Sequence, residues 1–524
     1  MGMYINTGNE GFRSARNGEY VDKSELIAVV NDTLNSERQF SCVSRARRFG
    51  KSMAARMLNA YYDHSCDSRE LFADLKIAQH PSFEKYLNKY PVIYLDMTEF
   101  VTRYRHQDVV DNLQKDVIAD LRKVYKEISI DSTDDLLTVL YAIVSDSSRK
   151  FIMIIDEWDA ILREFSSNNA LVDKFVDLLR RLFKSSQAMT IFAGVYITGI
   201  LPIKKYNTQS ALNNFEEYTM VSPGEFAPYF GFTNAEVDLL CKKYSMDINQ
   251  LKIWYDGYTI GGQESIYNPI SVIRALRRRY CESYWSNTGT YETVTQYIKM
   301  NFDGLKDDII NLLAGGRCMV NTLNFQNDLY VINDKNDVLT ILIHLGYLSY
   351  DRESQSCSIP NKEIVIEFEN AIKDTDWDIV VNALKQSDQL LKWTLAGEAD
   401  KVSASIAAIH EDNTSILQYN DENSLACVLT IAYFTAKNDY LWIREMPTGQ
   451  GFADFVLLPR QGKNLPVIVL ELKCNQSALT ALSQIRDKHY ADSLVAYSGE
   501  ILLVGINYDK LSKQHTCLIE RVVK

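Results

Sequence analysis

Two stretches near the end of the chain decide the fold of that region: Ala453-Asp454-Phe455-Val456-Leu457-Leu458 and Val467-Ile468-Val469-Leu470-Glu471-Leu472-Lys473. Both are apolar enough to predict buried strands, yet both carry acidic residues. Successive side chains of a strand point to opposite faces, so Glu471 and Lys473 share one face. Charges at the end of a core strand are costly unless they bind something. Two carboxylates suit a hard cation and an ammonium suits a phosphate, which predicts metal-dependent phosphodiester hydrolysis.

These residues resemble the D…ExK core of the PD-(D/E)xK nuclease superfamily. Many such nucleases carry an extra acidic residue on their first core helix, and Glu422 stands just before the apolar run 425–434. The segment 478–485 resembles the following helix, whose glutamine often faces the site. The resemblance implies Mg²⁺, or Mn²⁺ in its place, and these roles: Asp454, Glu471 and Glu422 as metal ligands, Lys473 as stabiliser of charge, and Gln484 as the residue that positions water or the scissile phosphate.

One departure concerns the residues before Asp454. The family usually has Arg or Lys there, whereas this chain has Phe452 and Ala453. An isolated Glu-x-Lys also occurs by chance at solvated sheet edges, and degenerate copies keep the fold without the activity. The sequence therefore leaves two alternatives open: an active nuclease, or a nuclease fold that only binds nucleic acid or protein.

A second phosphate-handling pattern lies near the other end of the chain. A predicted strand at 39–43 leads into a loop that ends in Gly50-Lys51-Ser52, and a predicted helix follows at 53–62. Backbone N–H groups at such a strand-to-helix turn bind the β- and γ-phosphates, with the lysine on the phosphates and the serine on magnesium. The leading glycine of the standard motif is replaced by Arg45.

The strand predicted at 150–155 ends in two acids, which is the form of a Walker B element. Asp156 is expected to hold magnesium through water, and Glu157 to orient or activate the hydrolytic water. A further apolar strand at 189–196 is followed by Thr198, a suitable sensor of the γ-phosphate. The alternative for the two acids is an ordinary helix cap after a strand.

Together these segments resemble the AAA-ATPase-like domain that is fused to such nucleases in many bacterial proteins. Family members tend to have Arg-Pro-Arg-Arg-Phe-Gly-Lys in the loop, so Arg45 fits the family and Ala46 departs from it. The resemblance, with further motifs as far as 345–348, covers nearly the whole chain. It implies ATP as the ligand of the following residues: Arg47, Arg48, Gly50, Lys51, Ser52, Asp156 and Thr198, with Ser52 and Asp156 also serving magnesium and Glu157 acting in catalysis.

Composition excludes several classes of protein. The 524 residues are 46% hydrophobic and 24% charged, as in globular proteins, and the length suggests roughly three or four domains. No apolar run approaches the roughly 20 residues that cross a bilayer, and residues 1–6 lack the basic head and apolar core of a signal peptide, so we expect no membrane association and a cytoplasmic location. Nine scattered cysteines form no Cys-x-x-Cys pair, which argues against a disulfide framework or a zinc site.

The net charge of −12 bears on the expected partner, because DNA-binding proteins are often basic. We still expect nucleic acid, DNA rather than RNA, since metal ions would neutralise the acidic site. Affinity for free DNA is expected to be weak, or to depend on a partner or a homo-oligomer.

Strands alternating with helices between 24 and 222 predict a three-layer parallel α/β sheet of the P-loop NTPase type, with ligands at the carboxyl ends of its strands. A helical part, a winged-helix-like hairpin between helices and a C-terminal PD-(D/E)xK nuclease-like α/β domain follow. The predicted divisions are 1–223 for the ATPase-like domain, 224–323 for the helical region, 324–373 for the winged-helix-like module, 374–410 for a helical connector and 411–524 for the nuclease-like domain.

Two clusters in the middle region have competing interpretations. The aromatic residues around Trp254, Tyr258 and Tyr284 favour core packing over base stacking. The basic run from Arg274 to Arg279 is typical of a solvated helix face, although it could also present an arginine to a neighbour's nucleotide.

The sequence as a whole predicts a nucleotide-regulated, magnesium-dependent nuclease. The rival hypothesis is an ATP-driven switch or scaffold with a degenerate nuclease fold, and defence against foreign DNA is a third, looser suggestion about biological role.

Overall fold

The computed structural model describes residues 2–128, 134–203, 205–206, 209–210, 212–285, 291–300, 302–313, 315–326, 332–373, 378–413, 429, 432–433, 436, 439–448, 451–460, 463–487 and 500–523. The chain divides into two compact units. The first comprises Met1–Thr290 and Arg317–Glu367, and the second comprises Tyr291–Gly316 and Phe368–Lys524. None of the helices in the described part of the chain combines the length and apolarity needed to cross a membrane.

The strands are β1 Phe40–Ser44, β2 Val92–Asp96, β3 Phe151–Asp156, β4 Phe192–Gly199, β5 Lys205–Tyr206, β6 Gln209–Ser210, β7 Glu216–Tyr218, β8 Phe232–Thr233, β9 Tyr258–Ile260, β10 Gln263–Tyr267, β11 Cys318–Met319, β12 Ser349–Asp351, β13 Ser356–Ser358, β14 Tyr440–Thr448, β15 Gly451–Pro459, β16 Val467–Cys474, β17 Glu500–Asp509 and β18 Gln514–Val523.

The α-helices are α1 Glu10–Arg16, α2 Leu26–Thr33, α3 Lys51–Tyr62, α4 Arg69–Phe72, α5 Phe83–Tyr86, α6 Met97–Arg103, α7 Val109–Val124, α8 Leu136–Ser147, α9 Ala160–Glu164, α10 Asn169–Lys184, α11 Ala188–Ile191, α12 Asn234–Tyr244, α13 Ile248–Tyr255, α14 Pro269–Arg278, α15 Tyr291–Ile298, α16 Leu305–Leu313, α17 Lys335–Leu345, α18 Lys362–Lys373, α19 Asp378–Ala396, α20 Ala399–Asn413 and α21 Ala478–Asp487. Two 3₁₀-helices span Lys76–Gln79 and Gly224–Tyr229.

The first unit is built on a five-stranded parallel sheet in the order β2-β3-β4-β1-β7. Helices α6 to α11 bury one face of this sheet, and α2 and α3 cover the other. Strand β3 is buried along its whole length, which explains its unbroken apolar sequence. The parallel register aligns the carboxyl ends of the strands, so Ser44 lies beside Gly199 and Asp96 beside Asp156. The predicted three-layer α/β fold is thus the observed one.

The region 224–323 contains strands as well as the predicted helices. Strands β8, β10 and β9 form an antiparallel sheet against which α12, α13 and α14 are arranged. The sequence pattern missed this sheet because its strands are two to five residues long, too short for a period-2 pattern. The segment Tyr291–Gly316, predicted to belong with this region, falls in the second compact unit.

The elements predicted for the winged-helix-like module are present. Helix α17 is followed by the hairpin of β12 and β13, and then by α18. Strand β11 adds to the hairpin and makes a three-stranded sheet in the order β11-β13-β12. The added strand begins at Cys318, six residues before the predicted start of the module at residue 324.

The second unit contains a five-stranded mixed sheet in the order β14-β15-β16-β17-β18. Strands β16 and β17 are parallel and are joined through α21, whereas the other neighbours are antiparallel. Apolar residues of β15, β16 and β17 form a core with Leu482 and Ile485 of α21. This sheet places the carboxyl ends of β16 and β17 at one edge, with α21 packed against them.

Candidate functional site

The phosphate-binding loop connects β1 to α3. Gly50 immediately precedes α3 and has a φ of 97°, a conformation that glycine adopts readily and that other residues resist. A side chain there would meet open space, so backbone conformation and not crowding requires the glycine. The twelve-residue helix behind it directs its free N–H groups towards the loop, which suits a phosphate.

Arg45 is a structural part of this loop. Its side chain is fully buried, and its guanidinium donates hydrogen bonds to the carbonyl oxygens of Ser44 (2.9 Å), Tyr218 (2.7 Å) and Pro223 (3.3 Å). The same group lies 5.0 Å from the ring centre of Phe230. Burial lowers the pKa of Arg45 to about 10. Arg45 therefore ties the end of β1 to the segment after β7, a role that the glycine of the standard motif could not fill.

Lys51 and Glu157 meet at the base of the loop. The Lys51 ammonium donates to the carbonyl oxygens of Arg45 (3.1 Å) and Ala46 (3.2 Å), and it lies 3.5 Å from Glu157 Oε1. Glu157 has a φ of 52°, an unfavourable backbone conformation for a residue other than glycine. The nitrogen of Lys51 is thus held by groups that a phosphate could replace.

A second cation holds the other oxygen of Glu157. Arg163 Nη2 donates to Glu157 Oε2 at 2.6 Å, and Arg163 Nε donates to Asp159 at 3.2 Å. Asp159 in turn accepts the N–H groups of Ile200 (3.1 Å) and Leu201 (3.0 Å), directly after β4. Glu157 is therefore paired on both sides, and its contact with Arg163 connects it to the end of the neighbouring strand.

Asp156 lies beneath the loop at the end of β3. Its carboxylate accepts a 2.6 Å hydrogen bond from the Thr198 hydroxyl and a hydrogen bond from the Ser52 hydroxyl. Burial raises the pKa of Asp156, and the hydrogen bonds from Thr198 and Ser52 oppose that shift. A buried carboxylate beside a serine hydroxyl at a phosphate-binding loop fits the donor set for a magnesium ion. The structure thus brings Ser52, Asp156 and Thr198 together.

A cavity of ≈ 460 Å³ opens in front of the loop. Gly50, Lys51, Ser52 and Glu157 line its phosphate end, and Arg48 also reaches it. Arg47 is not among the lining residues, and its role as a ligand of ATP stays a prediction. The apolar end is formed by six side chains: Tyr20, Val21, Met57, Phe232, Ile270 and Ile273. This combination of charged and apolar ends suits a nucleotide with its base in the apolar part.

Sequence reasoning missed three cations that line the same cavity: Lys23, Arg274 and Arg277. Arg274 and Arg277 are three residues apart on α14, so they project from the same face of the helix. Both arginines line a cavity within their own compact unit, and Arg277 is exposed, so the expectations of a solvated face and of an arginine offered to a neighbour stay predictions. The sequence offered one signal for this pair: Arg274 and Arg277 are three residues apart, so they lie on the same face of a helix.

The aromatic residues of the middle region pack in the core as predicted. Tyr255, Tyr258, Tyr284 and Trp285 are all at most 2% exposed, and Trp254 packs against the same group of residues. Stacking of nucleic-acid bases on the four buried rings is therefore excluded in this conformation.

The acidic site of the second unit is built on β15, β16 and α21. The backbone pairing of β15 with β16 extends as far as Phe455 and Leu470. Beyond it, the Asp454 carboxylate accepts the N–H of Leu472 at 2.7 Å. This bond places Asp454 beside the Glu-x-Lys segment. The two strands predicted to deliver acidic groups to one place do so.

Glu471 is the centre of this cluster. Its Oε1 accepts hydrogen bonds from the Lys473 ammonium, at 3.1 Å, and from the Gln484 side chain. Glu471 is 1% exposed and Lys473 is 9% exposed. The structure therefore brings together Asp454, Glu471 and Lys473, which the strand pattern singled out, and Gln484, which the family resemblance implied.

The electrostatics of the cluster fit a cation. Burial, reinforced by the neighbouring charge of Asp454, raises the pKa of Glu471 to about 7, and Lys473 opposes the shift. The second oxygen of Glu471, Oε2, is buried without a hydrogen-bond partner among the described residues. A divalent ion between the two carboxylates would satisfy this oxygen and remove the repulsion.

Glu422 lies outside the described residues. Within them, no group of three or more histidine, cysteine, aspartate and glutamate side chains forms a metal-binding cluster, and the acidic site has two carboxylates.

Comparison with known protein families identifies a domain around each of the two sites. A family described as "Predicted AAA-ATPase" matches residues 8–208, and the PD-(D/E)XK nuclease superfamily matches residues 420–516. The chain therefore contains an AAA-ATPase-like domain and, at its C-terminus, a domain of the PD-(D/E)XK nuclease superfamily. Both resemblances found in the sequence are confirmed.

Similarity to individual proteins is more distant. An "Uncharacterized protein in vnfD 5'region" from Azotobacter chroococcum mcd 1 is 24% identical over 545 residues, which cover 97% of this chain and 96% of that protein. Among solved structures, the ORC2 protein of Aeropyrum Pernix is 11% identical and covers 67% of this chain and 93% of its own, with TM-scores of 0.24 for its ADPNP-ADP complexes and 0.27 for its ADP form.

Proposed function

We propose that this chain, with its AAA-ATPase-like domain and its C-terminal nuclease-superfamily domain, is an ATP-hydrolysing, nucleotide-regulated nuclease that cleaves phosphodiester bonds of DNA. The observation that carries the proposal is the convergence of Asp454, Lys473 and Gln484 on the buried carboxylate of Glu471. Buried charges of this kind are costly to fold and are retained where they bind or react.

In the proposed nuclease site, Asp454 and Glu471 would hold Mg²⁺ or Mn²⁺. When bound, the ion supplies an activated water and neutralises charge on the phosphate. The Lys473 ammonium lies beside Glu471 and would stabilise the additional negative charge that develops as the phosphodiester is attacked. Gln484 fixes the orientation of the Glu471 carboxylate through its hydrogen bond, and its amide would then position water or the scissile phosphate.

In the proposed ATP site, the N–H groups at the start of α3 and the Lys51 ammonium bind the phosphates. Ser52 and Asp156 would hold the magnesium ion that accompanies ATP, and Thr198 would sense the γ-phosphate through its bond to Asp156. Glu157 would orient the attacking water once it leaves Arg163. Arg48, Arg274 and Arg277 add positive charge around the cavity.

The test of the nuclease assignment is Glu471→Gln in the full chain. The change keeps the shape of the side chain and removes the charge that holds the cation, so cleavage should fall at least 100-fold while ATP hydrolysis is unchanged. Labelled duplex DNA, single-stranded DNA and RNA are incubated with Mg²⁺ or Mn²⁺, with and without ATP, and the products are separated on gels.

Glu500→Gln is the matched control, because Glu500 begins β17 at the far end of the same sheet and pairs with Arg521. It should cleave like the unchanged protein. Cleavage at the rate of the unchanged protein by Glu471→Gln would contradict the assignment of Glu471 to a nuclease site.

One observation favours a second candidate, an ATPase switch whose nuclease fold binds nucleic acid or protein without cutting. Residues 452 and 453 are Phe and Ala where related nucleases carry a basic residue, and Ala453 is fully buried. Binding of DNA without cleavage by the unchanged protein, under every metal and nucleotide condition, would select this alternative.

A further inference from the structure

The turn between β17 and β18 presents an unusual side chain to solvent. Leu511 is 97% exposed at the tip of this hairpin. Lys510 and Lys513 flank it, and both are exposed. A single exposed leucine is common on protein surfaces, but this one lies between two lysines on a turn, where side chains are usually polar.

The tip is ordered by its own hydrogen bonds. One oxygen of Asp509 accepts the N–H groups of Leu511 (3.0 Å) and Ser512 (2.7 Å) and the Ser512 hydroxyl (2.9 Å). Lys513 has a positive φ of 55°, as tight hairpin turns require. The leucine is therefore held outward on a fixed turn whose only acidic side chain is already engaged by the turn itself.

The turn lies at the same edge of the sheet as the acidic site. Strands β16 and β17 are parallel, with Lys473 opposite Asn507 and Cys474 opposite Tyr508. Glu471 is opposite Gly505, so Leu511 follows the level of Glu471 by six residues along the chain.

Three hydrogen bonds join the end of β17 and the first residue of the turn to the segment that follows β16. Asn475 N–H donates to the Tyr508 carbonyl (2.8 Å), Lys510 N–H donates to the Asn475 side chain (2.9 Å), and Gln476 N–H donates to the Asn507 side chain (3.0 Å). Leu479, in the first turn of α21 after this segment, is 59% exposed and adds a second apolar side chain at this edge.

We propose that this hairpin is a duplex-DNA contact of the nuclease domain, with Leu511 inserted as a wedge against base pairs to one side of the scissile phosphate and Lys510 and Lys513 on the backbone phosphates. The proposal rests on the nuclease function proposed above and adds the form of its substrate. Apolar aliphatic wedges enter the minor groove and unstack base steps of duplexes, whereas single strands are gripped by stacking on aromatic rings, which a leucine cannot provide. The flanking lysines match the charge of a duplex backbone.

The test measures binding in the Glu471→Gln background, so that cleavage does not interfere. Fluorescence anisotropy gives the Kd of the full chain for a 30-base-pair duplex and for the corresponding single strand over a series of salt concentrations. Leu511→Ala should weaken duplex binding about tenfold at every salt concentration and leave single-strand binding unchanged. Lys510→Ala with Lys513→Ala should reduce the slope of log Kd against log salt by about two, because two phosphate contacts are lost.

Two matched controls come from the opposite end of the strands. Leu441 is 50% exposed on β14, opposite Leu458, and Lys463 is exposed and pairs with Asp439. Leu441→Ala and Lys463→Ala should bind like the parent protein.

The outcomes separate this inference from the proposed function. Unchanged duplex affinity in Leu511→Ala, an equal loss on single strands, or no duplex binding by the Glu471→Gln parent would each overturn the inference. Cleavage by the otherwise unchanged protein, together with any of these results, leaves the nuclease function intact. Duplex binding that depends on Leu511, without cleavage by the unchanged protein, supports the contact and rejects the nuclease.

Discussion

Arg45 stands where a standard phosphate-binding loop has its first glycine, and its guanidinium reaches three backbone carbonyl oxygens in the interior. A buried cation without a carboxylate is tolerated here because the carbonyl dipoles and the Phe230 ring solvate it. Arg45 therefore replaces the first glycine of the motif and serves a structural role in the loop. Gly50, Lys51 and Ser52 keep the positions that bear on phosphate binding.

Glu363 is a second buried titratable group, and it is connected to the same loop. Its oxygens accept hydrogen bonds from the Ser271 hydroxyl (2.9 and 3.0 Å) and from the N–H of Tyr284 (2.7 Å). The carbonyl of Tyr284 accepts a 2.7 Å bond from Arg48. Tyr284 thus connects the carboxyl group on α18 with an arginine that lines the nucleotide cavity.

This carboxyl group predicts a pH-dependent stability. Burial raises the pKa of Glu363 from 4.5 to about 7, so the folded protein favours its neutral form. The stabilisation is fully present below pH 4.5 and is lost as the pH rises through 7. Glu363→Gln, neutral at every pH, should be more stable than the parent above pH 7. The difference should reach about 3 kcal/mol, from about 1.4 kcal/mol for each pKa unit, and should vanish near pH 4.5.

Urea unfolding followed by tryptophan fluorescence between pH 5 and 8 measures this difference. Glu70→Gln, an exposed change in the same unit, is the control and should follow the parent. Parallel pH profiles for Glu363→Gln and the parent would contradict the assignment.

The approach of α21 to the sheet decides the geometry of the nuclease-like site. Gly505 on β17 lies directly beneath this helix, and a Cβ atom there would be 2.4 Å from the carbonyl oxygen of Ala478. The missing side chain lets α21 pack close enough for Gln484 to reach Glu471. One glycine thus sets the distance between a helix and a strand, and through it the hydrogen bond that orients the central carboxylate.

Gly505→Ala should therefore push α21 outward and separate Gln484 from Glu471. We expect cleavage to fall at least tenfold and the free energy of unfolding of the second unit to fall by about 1–3 kcal/mol, as for other overpacked cores. ATP hydrolysis should be unchanged. Gel assays and urea unfolding measure the two effects.

Gly11→Ala on α1 is the comparison, since its new Cβ would lie 3.6 Å from the nearest atom, an ordinary contact. It should be neutral or slightly stabilising. Normal cleavage by Gly505→Ala would show that the close packing is not needed.

At the scale of the molecule, the chain combines two compact units that carry different chemistry. The nucleotide cavity lies within the first unit and the acidic site within the second. The net charge of −12 also means that neither unit attracts nucleic acid through a strongly basic composition. The proposed regulation of cleavage by nucleotide therefore has to be tested in the full chain.

Lys51→Ala in the full chain tests ATP binding separately from DNA cleavage. Loss of a charged hydrogen-bond donor to phosphate, worth about 1.5–3 kcal/mol, should weaken ATP binding roughly 10- to 100-fold. ATP should then no longer change the rate of DNA cleavage, although cleavage without nucleotide continues. A fluorescent ATP analogue measures Kd, and the gel assay measures cleavage.

Lys76→Ala, an exposed lysine of the same unit, should leave both values unchanged. Unchanged nucleotide affinity in Lys51→Ala would reject the phosphate-loop assignment.

The sequence by itself determined the two α/β sheets and most of both sites. Long apolar strands end in charged residues at Asp156 and Glu471, and residues adjacent along the chain carry their own geometry: a strand-to-helix turn for Gly50 to Ser52, and period-2 alternation for Glu471 and Lys473. Family resemblance added Gln484. These features depend on the spacing of residues that are close together along the chain, and the sequence alone shows that spacing.

Only the tertiary structure decided the rest. Arg274 and Arg277 line the cavity in front of the loop, Arg163 holds Glu157, Arg45 supports the loop, and the turn with Leu511 lies at the same end of the sheet as the acidic site. Each depends on groups that are distant in the chain or on the direction in which a helix or turn faces. Such contacts arise from the packing of whole elements, because burial and the pairing of strands bring together residues whose spacing in the sequence carries no periodic signal.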